Sequence, residues 1–164
     1  MIIRKDQPQN DQGTENRAKR YGAFALLRYS EVGGLTPFGA YVETLQPGSR
    51  SSDRHWHEEE DEFLYVLSGE ATVIEEDGAH PLLPGDAARW SAGTANGHQV
   101  LNRSTAPCTY LIVGTRAARD VVHYPDLGQV LYNEGDRWRL LRTDGTLVKS
   151  GGFSYASGST LDDL

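Results

Sequence analysis

A chain with one cysteine cannot close an internal disulfide, and Cys108 stands alone here. Stability must come from burial rather than cross-links, and a reducing compartment is expected. Cys108 itself reads as a small buried hydrophobe in a strand. Long apolar runs are also missing. No stretch approaches the roughly 18 apolar residues of a membrane-spanning helix, so no membrane partner is expected. Met1-Ile2-Ile3 gives way at once to Arg4-Lys5-Asp6, which is no signal-peptide core, so a cytoplasmic protein is the expectation. Basic residues are outnumbered, 16 Lys and Arg against 23 Asp and Glu. The net charge of −7 speaks against nucleic acid as a partner. Helical heptads and internal repeats are absent too.

What is present is a turn-rich pattern. The 164 residues suit one domain with a sizeable core, and 18 glycines suit an all-β chain. Alternating or β-branched segments recur at Tyr21–Tyr29, Thr36–Leu45, His55–His57, Phe63–Leu67, Ala71–Glu75, Ala87–Trp90, His98–Leu101 and Cys108–Gly114. Gln46-Pro47-Gly48, Ser68-Gly69, Asp77-Gly78 and Pro84-Gly85-Asp86 punctuate them. Strands every eight to twelve residues with Gly/Pro turns indicate a sandwich or barrel. Phe63–Leu67 is apolar at every position and reads as a strand buried on both faces. Residues 1–20 are polar and read as a flexible arm or one lying on a partner subunit. Thr115–Asp120 reads as a helical turn. Trp138–Arg142 and Thr146–Lys149 flank Asp144-Gly145 as a terminal hairpin, and from Ser150 a Gly/Ser-rich tail frays.

The chemistry concentrates between Gly48 and Gly69. His55 and His57 are one residue apart and share a face if the segment is extended. Five acids, Glu58 to Glu62, follow before the next strand, and a carboxylate opening that strand can face the same interior. A charged, His-containing loop can equally be a solvated surface loop. The balance shifts with Gly93–Asn102, which puts another histidine, His98, at the start of another alternating run.

These residues resemble the two motifs of the cupin superfamily. Gly48, His55, His57, Glu62 and Gly69 fit the first, G-x5-H-x-H-x3–4-E-x6-G, with one extra residue before His55. Gly85, Gly93, His98 and Asn102 fit the second, G-x5-P-x-G-x2-H-x3-N. There Ser91 replaces proline, and two extra residues precede His98. Asn96-Gly97 is a turn pair that absorbs the added length.

The resemblance implies a double-stranded β-helix, or jelly-roll, barrel over residues 21–115. An N-terminal arm (1–20) would precede it, and a C-terminal extension (116–164) with a hairpin would pack outside it. The resemblance also implies a divalent metal ion (Zn, Fe, Mn or Ni) held by His55, His57, Glu62 and His98, an N₃O set without thiolate. A small oxygen-rich substrate follows, handled by a sugar or sugar phosphate isomerase or epimerase type of enzyme. A metal-dependent dioxygenase or lyase, and a non-enzymatic small-molecule-binding cupin, are the alternatives. Arg50, Arg54 and Arg89 lie near the ligand segments as surface charge or as a phosphate anchor. Tyr65 or a rim carboxylate among Glu58–Asp61 would move a proton. His80 and His123 read as surface or turn residues, and Trp56 and Trp90 as core or interface. Tyr124-Pro125-Asp126 resembles the tail of one group of uncharacterised bacterial cupins. A homodimer is expected, because the arm and the apolar strands of an open sandwich need cover.

Overall fold

The computed structural model describes residues 2–8 and 10–152. Fourteen strands among these residues carry the fold. In chain order they are β1 (Asn10–Asp11), β2 (Phe24–Arg28), β3 (Phe38–Leu45), β4 (Trp56–His57), β5 (Glu62–Ser68), β6 (Ala71–Glu75) and β7 (Gly78–Leu82). Then come β8 (Ala87–Trp90), β9 (Gln99–Leu101), β10 (Cys108–Thr115), β11 (Arg119–Tyr124), β12 (Gln129–Glu134), β13 (Arg137–Arg142) and β14 (Leu147–Gly152). One wall has the order β1-β2-β3-β10-β5-β8. The other joins β7-β6-β9 to β4 through two isolated bridges, Arg50 to Leu101 and His55 to His98. β4 in turn edges the sheet β14-β13-β12-β11-β4. The strand pairs are antiparallel throughout.

The period-2 alternation of the strands builds the interior. Leu64 and Val66 of β5, Cys108, Tyr110 and Ile112 of β10 and Leu45 of β3 meet Ala71, Val73 and Val100 from the opposite wall. Cys108 is fully buried, as its strand context predicts, and burial pushes its thiol up to about 11. Gly69 turns β5 into β6 at φ +75°, where a Cβ would sit 2.4 Å from the Pro107 carbonyl oxygen; only glycine fits.

β5 corrects one expectation. Leu64 and Val66 are sealed, but Phe63, Tyr65 and Leu67 remain 42%, 39% and 46% exposed. Composition suggested burial on both faces; in fact the strand lies in an outer wall of the barrel, so alternate residues face outward.

Two regions differ from their sequence reading. Residues 10–21 are not a loose arm. β1 pairs with β2, and α1 (Glu15–Tyr21) starts at a Thr14 cap whose hydroxyl accepts the Arg17 N–H. Arg17 is buried against Glu43 (3.4 Å) and donates to the Ser51 carbonyl (2.9 Å). Glu43 also accepts the Tyr110 hydroxyl at 2.7 Å. A polar helix is held here by a few buried charge-assisted bonds, which average hydropathy does not reveal.

The second difference lies after Gly114. Thr115–Asp120 forms no helical turn; the chain enters β11 at Arg119. The β-branched Val121-Val122 pair suits a strand. β11 and β12 then extend the terminal hairpin of β13 and β14 into one sheet around Val122, Leu131 and Leu140. Its inner edge pairs with β4, Val122 opposite His57, so this sheet adjoins the barrel wall rather than merely coating it. Ser150–Gly152 close β14, and the rest of the expected tail lies outside the described residues. Among the described residues, no helix is long and apolar enough to cross a membrane.

Candidate metal centre

β4 is two residues long, but its extended backbone continues to His55, which bridges to His98. His55 and His57 therefore project to one side, while Trp56 between them projects to the other and stacks on His123 (centroids 4.0 Å, 5°). Glu62 opens β5 in the facing wall, and its position in the Glu62, Leu64, Val66 series turns it inward. His98 stands just before β9, held flat by Trp90 (3.8 Å, 8°). The Trp90 indole N–H is fixed by Glu75 at 2.6 Å. Two walls thus deliver four side chains to one place.

Glu62 is the hub. Its Oε2 lies 2.6 Å from His98 Nε2, 3.9 Å from His57 Nε2 and 4.0 Å from His55 Nε2. The His55 ring is 5.1 Å from that of His57 and 5.0 Å from that of His98. Each imidazole turns its Nδ1 away from the hub. Nδ1 of His55 meets the Asp53 carbonyl at 2.9 Å, that of His98 the Asn96 carbonyl at 3.5 Å, and that of His57 the Asp120 carboxylate at 2.6 Å. All three Nε2 atoms are left to converge on Glu62.

Electrostatics follow from burial and these neighbours. Burial pushes His55 down to about 4, and the His57 charge beside it acts the same way, so His55 is a neutral donor at neutral pH. For Glu62, burial alone would raise the pKa. The His98 hydrogen bond and the charges of His57 and His55 outweigh it and hold the carboxyl well below its usual range. Burial opposes the charged form of His57, but Asp120 and Glu62 overcome it and raise that ring's pKa. Neutral imidazole and ionised carboxylate are the states that ligate metal. His55, Glu62 and His98 bring their donor atoms closest together, while His57 also neighbours Glu60 and Asp120 as a second group of potential donors. Such N/O groups are of the kind that can hold a borderline divalent ion. Cys108 faces the apolar core on β10, so no thiolate enters the set.

Other residues singled out in the sequence lie elsewhere. Tyr65 on β5 and Arg89 on β8 both face outward, opposite Ala87 and Phe63 respectively, with Arg89 donating to Ser91. Arg54 is clamped by Asp126 (2.6 Å) and Glu76 (2.7 Å), and Arg50 sits 3.3 Å from Asp53. None of these arginines is an unclaimed anchor beside Glu62, and Tyr65 faces away from it. His80 bonds Asp77 at the surface, forming with Glu75 a separate group of potential donors. His123 is not in a turn but in β11, bonded to Glu58 at 2.7 Å.

Sequence reasoning missed two residues, both on β11. Asp120 is buried and reaches His57 across 63 positions, a separation no local motif can signal. Tyr124 places its ring 5.8 Å from that of His55. Burial, reinforced by Tyr21 and Asp53, raises its pKa far enough to keep the hydroxyl protonated. The Tyr-Pro-Asp piece was the one available signal.

Comparison with known proteins agrees with this geometry. The pattern defining the cupin domain matches residues 41–114. No curated protein matches the chain. A sugar phosphate isomerase of the cupin superfamily from Silicibacter pomeroyi is 34% identical, with a TM-score of 0.83 over 91% of this chain and 97% of that one. A candidate sugar phosphate isomerase from Acidithiobacillus ferrooxidans is 30% identical, with a TM-score of 0.70 over 76% of this chain and 81% of that one. A predicted oxalate decarboxylase from Thermotoga maritima, 21% identical with a TM-score of 0.59 over 71% of this chain and 100% of that one, shares the fold. Barrel, motif residues and near full-length likeness together place this chain in the cupin superfamily.

Proposed function

We propose that this chain is a metal-dependent enzyme of the sugar or sugar phosphate isomerase or epimerase type, with His55, His57, Glu62 and His98 as the ligands of one divalent ion. The observation that carries the metal reading is the common orientation of the rings. Each of the three histidines has its Nδ1 engaged elsewhere and its Nε2 directed at Glu62. The isomerase reading is supported by the two relatives at 34% and 30% identity that carry that name.

A bound ion would supply Lewis acidity to adjacent oxygens of a small polyhydroxy substrate. The chain's own groups do the rest. Tyr124, kept protonated by burial, donates a hydrogen bond to a substrate oxygen near His55 rather than acting as a base. Glu60 has its pKa raised by burial, but it sits on the Nδ1 side of His57, 4.0 Å from that atom, and accepts the Ala117 N–H. It belongs to the rim and not to the face that Glu62 presents. With Tyr65 outward, Tyr124 is the tyrosine beside His55, and its part is that of a hydrogen-bond donor, not of the group that moves the proton.

The test is turnover with a panel of sugars and sugar phosphates by metal-loaded protein, with Tyr124→Phe beside it. Interconversion of a substrate, reduced in Tyr124→Phe, supports the reading. Oxygen consumption with a substrate would instead establish a dioxygenase. A homodimer in the cytoplasm completes the proposal. With residues 10–21 folded on their own barrel, its support is the exposed Phe63, Tyr65 and Leu67 face. Light scattering that returns a monomer at high micromolar concentration would contradict it.

A further inference from the structure

We propose that Asp120, from the strand beyond the matched cupin domain, is the positioning residue of the metal centre: it fixes the His57 ring so that Nε2 addresses the ion. The inference rests on the reading of His55, His57, Glu62 and His98 as ligands.

Four observations converge on it. Asp120 is only 2% exposed, so water does not compete for its oxygens. Oδ2 lies 2.6 Å from His57 Nδ1, and a carboxylate can only accept, so the proton of the neutral ring sits on Nδ1 and the Nε2 lone pair is free. Oδ1 accepts the Glu59 N–H at 3.0 Å, so the carboxylate is held by both oxygens and does not swing. The backbone beneath it is equally fixed. Val122 pairs with His57, and the Val121 carbonyl accepts the Glu58 N–H at 3.0 Å, which sets the height of Asp120 against the ring.

The three histidines are not equivalent in this respect. His55 and His98 turn Nδ1 to backbone carbonyls two residues away, whereas His57 alone meets a full negative charge. A buried carboxylate on the far nitrogen orients the imidazole and raises its basicity as a ligand. A purely structural Asp120 would staple the Glu58–Glu59 loop to β11 and leave metal affinity untouched, so affinity is the discriminating readout.

The experiment titrates ZnCl₂ into the chelator-stripped full-length chain, comparing wild type with Asp120→Asn and Asp120→Ala after circular dichroism confirms folding. Asp120→Asn keeps the size and an oxygen for the Glu59 N–H but removes the charge. It is expected to weaken zinc binding roughly 10–100-fold, with Asp120→Ala at least as weak. In the zinc-loaded wild type, ¹⁵N NMR should show the His57 ring carrying its proton on Nδ1 with Nε2 on the metal. Wild-type zinc affinity in a folded Asp120→Asn variant, or zinc on His57 Nδ1, overturns the inference while the ligand reading stands. Failure of the wild type itself to bind zinc overturns both.

Discussion

The barrel wall and the C-terminal sheet meet along one strand pair, β4 with β11, yet they are built differently. Among the described residues, the two barrel walls together bury twelve apolar side chains in one cluster; the C-terminal sheet buries three in its own, and its last strand, β14, is exposed along its whole length. The wall supplies the proposed metal ligands from two compact motifs within residues 48–102. The sheet contributes single residues, Asp120 and Tyr124, placed by register. The barrel is thus packed mainly by apolar burial, and the part proposed for the sheet lies in where it holds two side chains.

That contrast can be broken by substitution. The largest effect on binding should come from the wall. His57→Ala should cost more zinc affinity than the roughly 10–100-fold expected for an outer partner such as Asp120, because a nitrogen ligand is lost outright. Metal content of the purified variant, measured by mass spectrometry, checks this; a full complement of metal in a folded variant would show that His57 is no ligand.

On stability, Leu64→Ala removes a fully buried side chain from the wall and should cost about 2–5 kcal/mol, read by chemical denaturation. Leu131→Ala in the sheet should fall in the same range, because Leu131 is also fully buried. If the sheet merely coats the barrel, however, a separate early transition will appear in place of one shifted transition. Tyr110→Phe deletes the hydroxyl that Glu43 accepts inside the barrel and should cost about 1–3 kcal/mol. Leu147→Ala on exposed β14 should stay within about 0.5 kcal/mol, and a larger loss would mean that strand has a partner.

The smallest effect is on acid stability. Burial opposes ionisation of Asp11 and Glu31. Hydrogen bonds, including those from Arg28 to Asp11 and from Ser30 and Arg116 to Glu31, nonetheless bring both carboxyls below their ordinary values. The unfolded chain therefore takes up protons first. These groups contribute stability above the ordinary carboxylate range, and it declines as pH falls through their folded values. Arg28→Ala should flatten that acid limb slightly, seen as a smaller drop in midpoint between neutral and acid pH; an unchanged limb would remove Asp11 from the account.

The same contrast explains what the sequence disclosed. His55, His57, Glu62 and His98 stood out as candidate ligands because each lies in a short motif whose spacing is set by one strand or turn. The barrel was legible because period-2 segments alternate with Gly/Pro turns. The direction of β5 was not, since an apolar run looks alike whether one or both faces are buried, and Tyr65 was misassigned with it. α1 was missed because its anchoring rests on Arg17 reaching Glu43 and Ser51 and on Arg20 and Tyr21 reaching Asp53, all far along the chain. Asp120 was missed for the same reason at greater distance. Nothing in Arg119-Asp120-Val121 marks it until pairing with β4 brings His57 alongside.

The central claim is that one ion sits among residues from both motifs. Anomalous diffraction from a crystal of the full-length chain grown with ZnCl₂ tests it most directly. One peak should lie about 2.0–2.2 Å from Nε2 of His55, His57 and His98 and from a Glu62 carboxylate oxygen. Density only at the surface group of Glu75, Asp77 and His80, or none at Glu62, would contradict it.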